Sequence, residues 1–301
     1  MLRAMRKAFE RLLRMLDRHV LAEPFADPSG DKGLWRWASR AQAHAIRHVG
    51  VTLPGNPQLN RPLRIVFLAD LHVGSHADDV ARLTELIRVA EELKPDLMCL
   101  GGDYVNTMPF GGGRVPPSTI AEIIALARPP LGCFAVLGDH DQSYGARPIT
   151  SALRTAGITV LVNESVTLAF EGRTISVVGV TPDAARVGDL VSQAPTNAVK
   201  LVLAHDPAAF GLLPEGITCL MLCGHTHGGQ IRIPLLGPVI NMSDAPLRWT
   251  YGHVVIGNRH LYVTSGIGTS LLPVRIGVPP EIALIELDGA EALQTPRFPR
   301  Q

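Results

Sequence analysis

The chain has 301 residues, 46% of them hydrophobic and 18% charged, with a formal net charge of +1. That length fits one large domain or two modest ones, and the composition excludes a disordered, collagen-like or coiled-coil chain. Twenty-nine glycines and 24 prolines predict many tight loops between short elements, and no apolar run approaches the roughly 18 residues that a spanning helix needs.

The charge is unevenly spread. Residues 1–60 carry ten Lys/Arg against five Asp/Glu, and the remainder carries eighteen against twenty-two. A nearly neutral body argues against general nucleic-acid binding, which needs a basic stripe on the domain itself. In residues 1–21, Leu2, Met5, Phe9, Leu12, Leu16 and Val20 recur at helical spacing. Arg3, Arg6, Lys7, Arg11, Arg14 and Arg18 fill the other face. This predicts a basic amphipathic helix suited to an anionic membrane surface or a partner groove. Packing on the parent domain or in a dimer explains the same pattern. The interspersed charges do not fit a secretory signal. A second basic segment, 34–49, brings Trp35 and Trp37, which suit a lipid interface. His44 and His48 there read as one solvated face of a helix. The expected organisation is a basic extension over 1–60, a body over 61–290 and a tail over 291–301.

From residue 61 the texture changes. LRIVFLAD (63–70) is a continuous apolar run ending in a carboxylate, followed by a helical stretch over about 77–93. DLMCLGGD (96–103) and GCFAVLGDHD (132–141) have the same shape. Continuous apolar strands alternating with helices predict a parallel sheet covered on both faces. SVTLAF, RTISVVGV, KLVLAHD, CLMLCGHTH, HLYVTSG and EIALIEL follow at closer spacing and predict a second sheet packed on the first. Cys99, Cys133, Cys219 and Cys223 lie in or beside these runs, where cysteine behaves as a small hydrophobe, and a reducing cytosol is expected.

The polar residues fall at the strand ends: Asp70-Leu-His72, Asp103, Asp139-His140-Asp141, His205-Asp206 and His225-Thr-His227. Ligands of open α/β folds bind at such ends. Each piece has a plain explanation alone, a strand-end Asp being usually a helix N-cap. Their joint occurrence, each after a hydrophobic run, points instead to metal-ligand chemistry. Glycines at Gly101, Gly102, Gly138, Gly224, Gly228 and Gly229 permit the tight turns that aim side chains at a point.

DLH (70–72), GGD (101–103), GDHD (138–141), AHD (204–206) and GHTHGGQ (224–230) resemble the five blocks of calcineurin-like metallophosphoesterases. The resemblance spans about residues 61–290. The segment SGIGTSLLPVRIGVPPEIALIEL (265–287) is similar to a bacterial branch of small phosphodiesterases with a GHTHGGQ ending. It implies an α/β fold, a two-sheet sandwich flanked by helices, with a dimetal site at the C-terminal edge of the strands. Asp70, His72, Asp103 and His227 would hold one metal. Asp103 would bridge to a second, completed by Asp139, His205 and His225. Mixed imidazole and carboxylate ligands suit Mn, Fe or Zn. Two such ions roughly 3.5–4 Å apart would clamp a phosphate and activate a hydroxide, with His140 protonating the leaving group as general acid.

Two positions depart from the family pattern. Asp139 stands where the family normally has Asn, adding a negative charge to the site. Asn106 stands where many relatives carry the Asp that orients the catalytic histidine. The leading expectation is a metal-dependent phosphodiesterase, because no basic cluster sits beside the five blocks to hold the second charge of a monoester. Arg147, Arg232 and Arg275 are the nearest basic residues in sequence. With the basic arm, apolar segments at 271–273 and 249–251 allow a lipid-linked substrate. One alternative is therefore a membrane-surface pyrophosphohydrolase of a lipid-linked nucleotide such as UDP-2,3-diacylglucosamine. A non-catalytic metal-binding scaffold is the other. The expected location is the cytoplasm, peripheral on the inner membrane if the arm engages lipid.

Overall fold

The computed structural model describes residues 42–55, 59–76, 78–107, 114–233, 237–238 and 242–287. The expected amphipathic helix over 1–21, Trp35, Trp37 and the tail over 291–301 lie outside them. Among the described residues there are fourteen strands: β1 (Ala45–Val51), β2 (Leu63–Leu68), β3 (Leu97–Leu100), β4 (Cys133–Ala135), β5 (Thr159–Val160), β6 (Glu164–Phe170), β7 (Arg173–Gly179), β8 (Val199–Leu203), β9 (Cys219–Cys223), β10 (Arg232–Ile233), β11 (Gly237–Pro238), β12 (Gly252–Ile256), β13 (Arg259–Val263) and β14 (Glu281–Leu287). They form one six-stranded sheet in the order β1-β14-β2-β3-β4-β5, another in the order β12-β13-β9-β8-β7-β6, and a small β10–β11 ribbon.

Successive residues of a strand point to opposite faces, and here both faces of each sheet are covered. Ile65 and Phe67 of β2 meet Val177, Leu201 and Leu222 of the second sheet in an intersheet core. The alternate residues Val66 and Leu68 pack instead with Leu83, Leu86 and Ile87, Ile120 and Ile124, and Ile149 and Leu153, on the helices Asp79–Glu92, Pro117–Ile124 and Ala146–Thr155. Outside the second sheet, Val202 and Met221 pack with Val187 and Val191 of the helix Val187–Gln193 and with Phe210. The result is helix, sheet, sheet, helix, the expected two-sheet sandwich. The four cysteines are buried and unbridged, and burial pushes the Cys133 and Cys219 thiols up to about 12. No helix among the described residues is long and apolar enough to cross a membrane.

Two sequence expectations need correction. First, the body does not begin at 61. Ala45–Val51 is an extended edge strand paired in parallel with β14, so His44 and His48 do not share a helix face. Val51 is buried, and Val49 packs against the intersheet core, so this segment is held by the sheet and not by solvent. Second, EIALIEL does not join the second sheet. As β14 it lies between β1 and β2, antiparallel to β2. Ile282 and Leu284 serve the helix-covered core, while Ala283, Ile285 and Leu287 serve the intersheet core. A strand apolar on both faces needs an interior position with cover on each side.

β2, β3 and β4 run parallel, as do β8, β9 and β13, so their C-terminal ends deliver six loops to one edge of the sandwich. A chain begun at Asn60 loses the buried side chains of Val51, Leu53 and Leu59. At about 1.5–3 kcal/mol for each buried aliphatic side chain, it is expected to be less stable by at least about 4 kcal/mol than one begun at Gln42, as measured by chemical denaturation.

Candidate metal centre

The loop after each strand takes an unusual backbone path. Asp70, His72, Asp103, His225 and His227 all have φ between +40° and +70°, a region that non-glycine residues rarely occupy. Such conformations cost of order 1–3 kcal/mol each and persist only where surrounding structure imposes them. Here the imposing contacts are visible. The Asp70 and His72 N–H groups donate to the Gly102 and Asp103 carbonyls at 2.9 Å each. The Asp70 carboxylate accepts from the His225 N–H at 2.9 and 3.1 Å. Two glycines are required by close approach: a Cβ at Gly138 would overlap the Asp103 side chain, and one at Gly266, itself at φ +70°, would sit 2.6 Å from Asp70 Oδ2.

The structure brings all seven sequence-predicted ligands, and His140, into one place. The ligand atoms of Asp103, Asp139, His205 and His225 lie within 4.8 Å of one another, as do those of Asp70, His72 and His227, and those of His72, Asp103 and His140. His205 Nδ1 donates to the Gly101 carbonyl at 2.7 Å, which turns Nε2 toward Asp139 Oδ1 at 3.0 Å and Asp103 Oδ2 at 3.2 Å. His225 reverses the arrangement. Its Nε2 faces the Met242 carbonyl at 3.2 Å and its Nδ1 lies 3.0 Å from Asp139 Oδ1. An outer partner that fixes tautomer and ring orientation is the usual support of a metal-ligating histidine. His72 Nε2 and His227 Nε2 are 3.1 Å apart, and His72 Nδ1 is a buried nitrogen without a hydrogen-bond partner among the described residues.

The electrostatics fit cations. Burial pushes the Asp70 carboxyl up to about 6. For Asp103 burial is outweighed by neighbouring His205, which holds the carboxyl at about 2. Burial is likewise outweighed at Asp139, where hydrogen bonds from His205 and His225 hold the carboxyl well below its usual range. Burial alone would depress the His225 imidazole, but Asp139 raises it to about 9. In the metal-free site protons thus gather on the imidazoles that face the carboxylates, where metal charge would otherwise sit. Burial, then the charge of His140, lowers His72 to about 3, and His227 is lowered as well, by burial, His72 and Arg275. Both rings are neutral, the form that ligates. The residues present therefore fit two ions of the borderline class that take mixed nitrogen and oxygen ligands.

Three residues play parts that the sequence reading missed or misplaced. Asp141 is fully buried and its carboxylate accepts from the N–H groups of Gly138, Asp103 and Tyr104 at 2.7–2.9 Å, tying the loops of Asp103 and Asp139 together. At His140, the group facing Nδ1 is the Thr107 hydroxyl at 2.5 Å, while Asn106 Nδ2 donates to the Gly74 carbonyl at 3.0 Å. The residue in contact with the His140 ring is thus one position along the loop from Asn106, whose amide is turned toward the Gly74 turn. Arg275 is buried. It donates to the carbonyls of Gly268, Ser265 and His227 and lies 3.2 Å from His227 Nδ1, so it binds the loop after β13 to the His227 turn. Arg147 is exposed and Arg232 is half-buried. A buried Arg was invisible in sequence because only the fold supplies three carbonyls around it.

Comparisons with known proteins match the chain to one family. The profile of the calcineurin-like phosphoesterases matches residues 63–229. The chain is 37% identical over 240 residues to phosphodiesterase YaeI of Escherichia coli (strain K12), covering 75% of this chain and 82% of the relative. It is 30% identical over 237 residues to the uncharacterized metallophosphoesterase YkuE of Bacillus subtilis (strain 168), covering 74% and 78% respectively. Among solved structures, Haemophilus influenzae NAD nucleotidase superposes with a TM-score of 0.44 at 14% identity, covering 68% of this chain and 50% of that one. The fold and the histidine–carboxylate centre define a metal-dependent phosphoester hydrolase. The chain belongs to the calcineurin-like phosphoesterase family.

If the Thr107 hydroxyl orients His140, Thr107→Val should lower kcat about tenfold, the worth of one hydrogen bond to a charged group. Thr107→Ser should retain most of it, with little change in melting temperature for either variant.

Proposed function

We propose that this chain is a phosphodiesterase in which Asp70, His72 and His227 hold one metal ion, Asp139, His205 and His225 hold a second, and Asp103 serves both. The observation that carries the reading is the pair of ligand clusters that share one edge of the sandwich, with His140 among them. When bound, such ions lower the pKa of water toward neutrality and neutralise charge on phosphoryl oxygens. The chain's own groups do the remainder. Asp103 Oδ1 accepts from the His140 backbone N–H at 2.9 Å, which fixes the main chain there, and the Thr107 hydroxyl engages ring Nδ1, which leaves His140 Nε2 as the atom that gives its proton to the leaving alkoxide. Ser270 Oγ lies 3.5 Å from that nitrogen and borders the same space. Asp139 and His225 form the more open side of the centre, with side chains 52% and 11% exposed, so the ester approaches from there.

A diester is favoured over a monoester by the activity named for the Escherichia coli relative. A full ligand set argues against a non-catalytic scaffold. The alternative of a membrane-surface pyrophosphohydrolase acting on a lipid-linked nucleotide draws support from exposed Ile233, Leu272 and Ile276. These sit on segments joined to one another through Gln230 and Arg232, and Gln230 in turn holds Ser270 beside His140.

Metal-stripped protein should not hydrolyse bis-p-nitrophenyl phosphate, and Mn, Fe or Zn should restore turnover. His140→Ala should then lower kcat by about 10²–10⁴ without loss of bound metal. No turnover with any metal in folded protein would sink the reading. A second test concerns Asp139. A carboxylate binds a cation more tightly than a neutral amide does but offsets more of its charge, so Asp139→Asn should weaken metal affinity and change the order of preferred metals, measured by metal titration and by turnover with each ion.

A further inference from the structure

The edge that carries the metal centre also carries a pair of arginines from distant parts of the chain. β14 is antiparallel to β2 and β1 is parallel to β14, so β1 begins at the edge where β2 ends. β12, antiparallel to β13, begins there too. Arg47 of β1, Arg232 of β10 and Tyr251 just before β12 thereby meet, and with Gly277, Val278 and Pro279 they line a cavity of about 70 Å³. The two guanidinium groups approach the same ring, 5.7 and 6.0 Å from the Tyr251 centroid. Arg47 donates to the Tyr251 hydroxyl at 2.7 Å and lies 3.6 Å from the Glu281 carboxylate. Arg232 donates to the Gly228 carbonyl at 3.2 Å.

The charges around this cavity do not balance. Glu281 is fully buried and is held by the Tyr251 and Tyr262 hydroxyls at 2.6 and 2.7 Å. It offsets one guanidinium and leaves the other without a carboxylate among the described residues. Each Arg has five N–H donors in a planar fork, and the bonds just named use few of them. Two such forks beside a space larger than a water molecule match a tetrahedral oxyanion, which they bind in bidentate fashion. Gly277, at φ +71°, lets the chain pass close to Arg232: a Cβ there would press on the Arg232 carbonyl at 2.5 Å. The cavity also adjoins the metal centre, since Gly228, whose carbonyl Arg232 holds, directly follows the ligand His227.

We propose that Arg47 and Arg232 form a second oxyanion site, one that takes a phosphate-class group carried by the same substrate whose ester is cleaved at the neighbouring metal centre. The substrate-borne source rests on the phosphodiesterase reading; the site itself does not. The test uses Arg232→Gln, with Arg232→Lys as the variant that keeps charge but loses the fork. Arg47 is left intact because it compensates buried Glu281. Equilibrium dialysis with inorganic phosphate should find two phosphates bound per metal-loaded wild-type chain. The second should weaken about tenfold or more in Arg232→Gln, as expected for loss of a charge-assisted pair, and by an intermediate amount in Arg232→Lys. Thymidylyl-thymidine with and without a 5′-phosphate supplies the other arm. In Arg232→Gln, KM should rise about tenfold for the phosphorylated dinucleotide alone, with kcat held. Identical phosphate binding by wild type and Arg232→Gln would overturn the site. Loss of the second phosphate with equal KM changes for both dinucleotides would overturn its assignment to the substrate and make free phosphate the ligand. Failure of wild type to cleave any diester strikes the phosphodiesterase reading alone, because dialysis still judges the site.

Discussion

Everything at the functional edge depends on a backbone constraint: ligands must leave the ends of strands and turn inward within one or two residues. Five of the seven metal-ligand candidates meet it by adopting left-handed φ values, an arrangement that costs energy at each position. The surrounding protein supplies the compensation. Asp70 is held by Gly102 behind it and by the His225 N–H in front, and Asp103 is held by the Asp141 carboxylate, which also gathers Gly138 and Tyr104. The ligands of one cluster are thus the structural supports of the other. Asp103, grouped with Asp139, His205 and His225 and also with His72 and His140, accepts from the His140 backbone N–H and is where these constraints meet.

Such a centre tolerates little relaxation because it is built between two rigid layers. The intersheet core formed by Phe67, Val177, Leu201 and Leu222 fixes the distance between the strand ends of one sheet and those of the other. Asp70, His72, Asp103 and Asp139 come from the first sheet's loops, and His205, His225 and His227 from the second's. A centre that needs both sets is therefore a readout of sheet packing. Close packing at crystal-like density converts that into a fixed spacing of nitrogen and oxygen atoms.

Much of this was legible in sequence. Continuous apolar runs each ending in Asp or His announced both the strands and their functional ends, since only a strand buried on both faces is apolar throughout. The candidate residues were legible because each follows its run directly and comes with glycines that permit the turn, and the choice of seven ligands among them was what the resemblance to calcineurin-like metallophosphoesterases implied. What escaped notice followed from contacts between remote segments. β1 was hidden because a short edge strand with Arg47 and His48 on it lacks a continuous apolar run. Only its pairing with β14 makes it part of the body. β14 itself reads as any buried strand, and nothing in EIALIEL says which sheet receives it.

The sequence by itself determined the alternation of buried strands and helices and the chemistry of the donors at the strand ends, because these depend on residue type and on periodicity along one segment; the ligand set followed from the resemblance of its five motif blocks to a known family. Tertiary structure alone decided that Thr107 rather than Asn106 faces His140, that Arg275 is a buried tie behind His227, and that Arg47 and Arg232 share the ring of Tyr251. Each of these is a relation between side chains brought together by strand order and loop path. A one-residue choice within a loop, or the meeting of positions 47 and 232, is set by which atoms lie within hydrogen-bond reach, and linear spacing does not encode that distance.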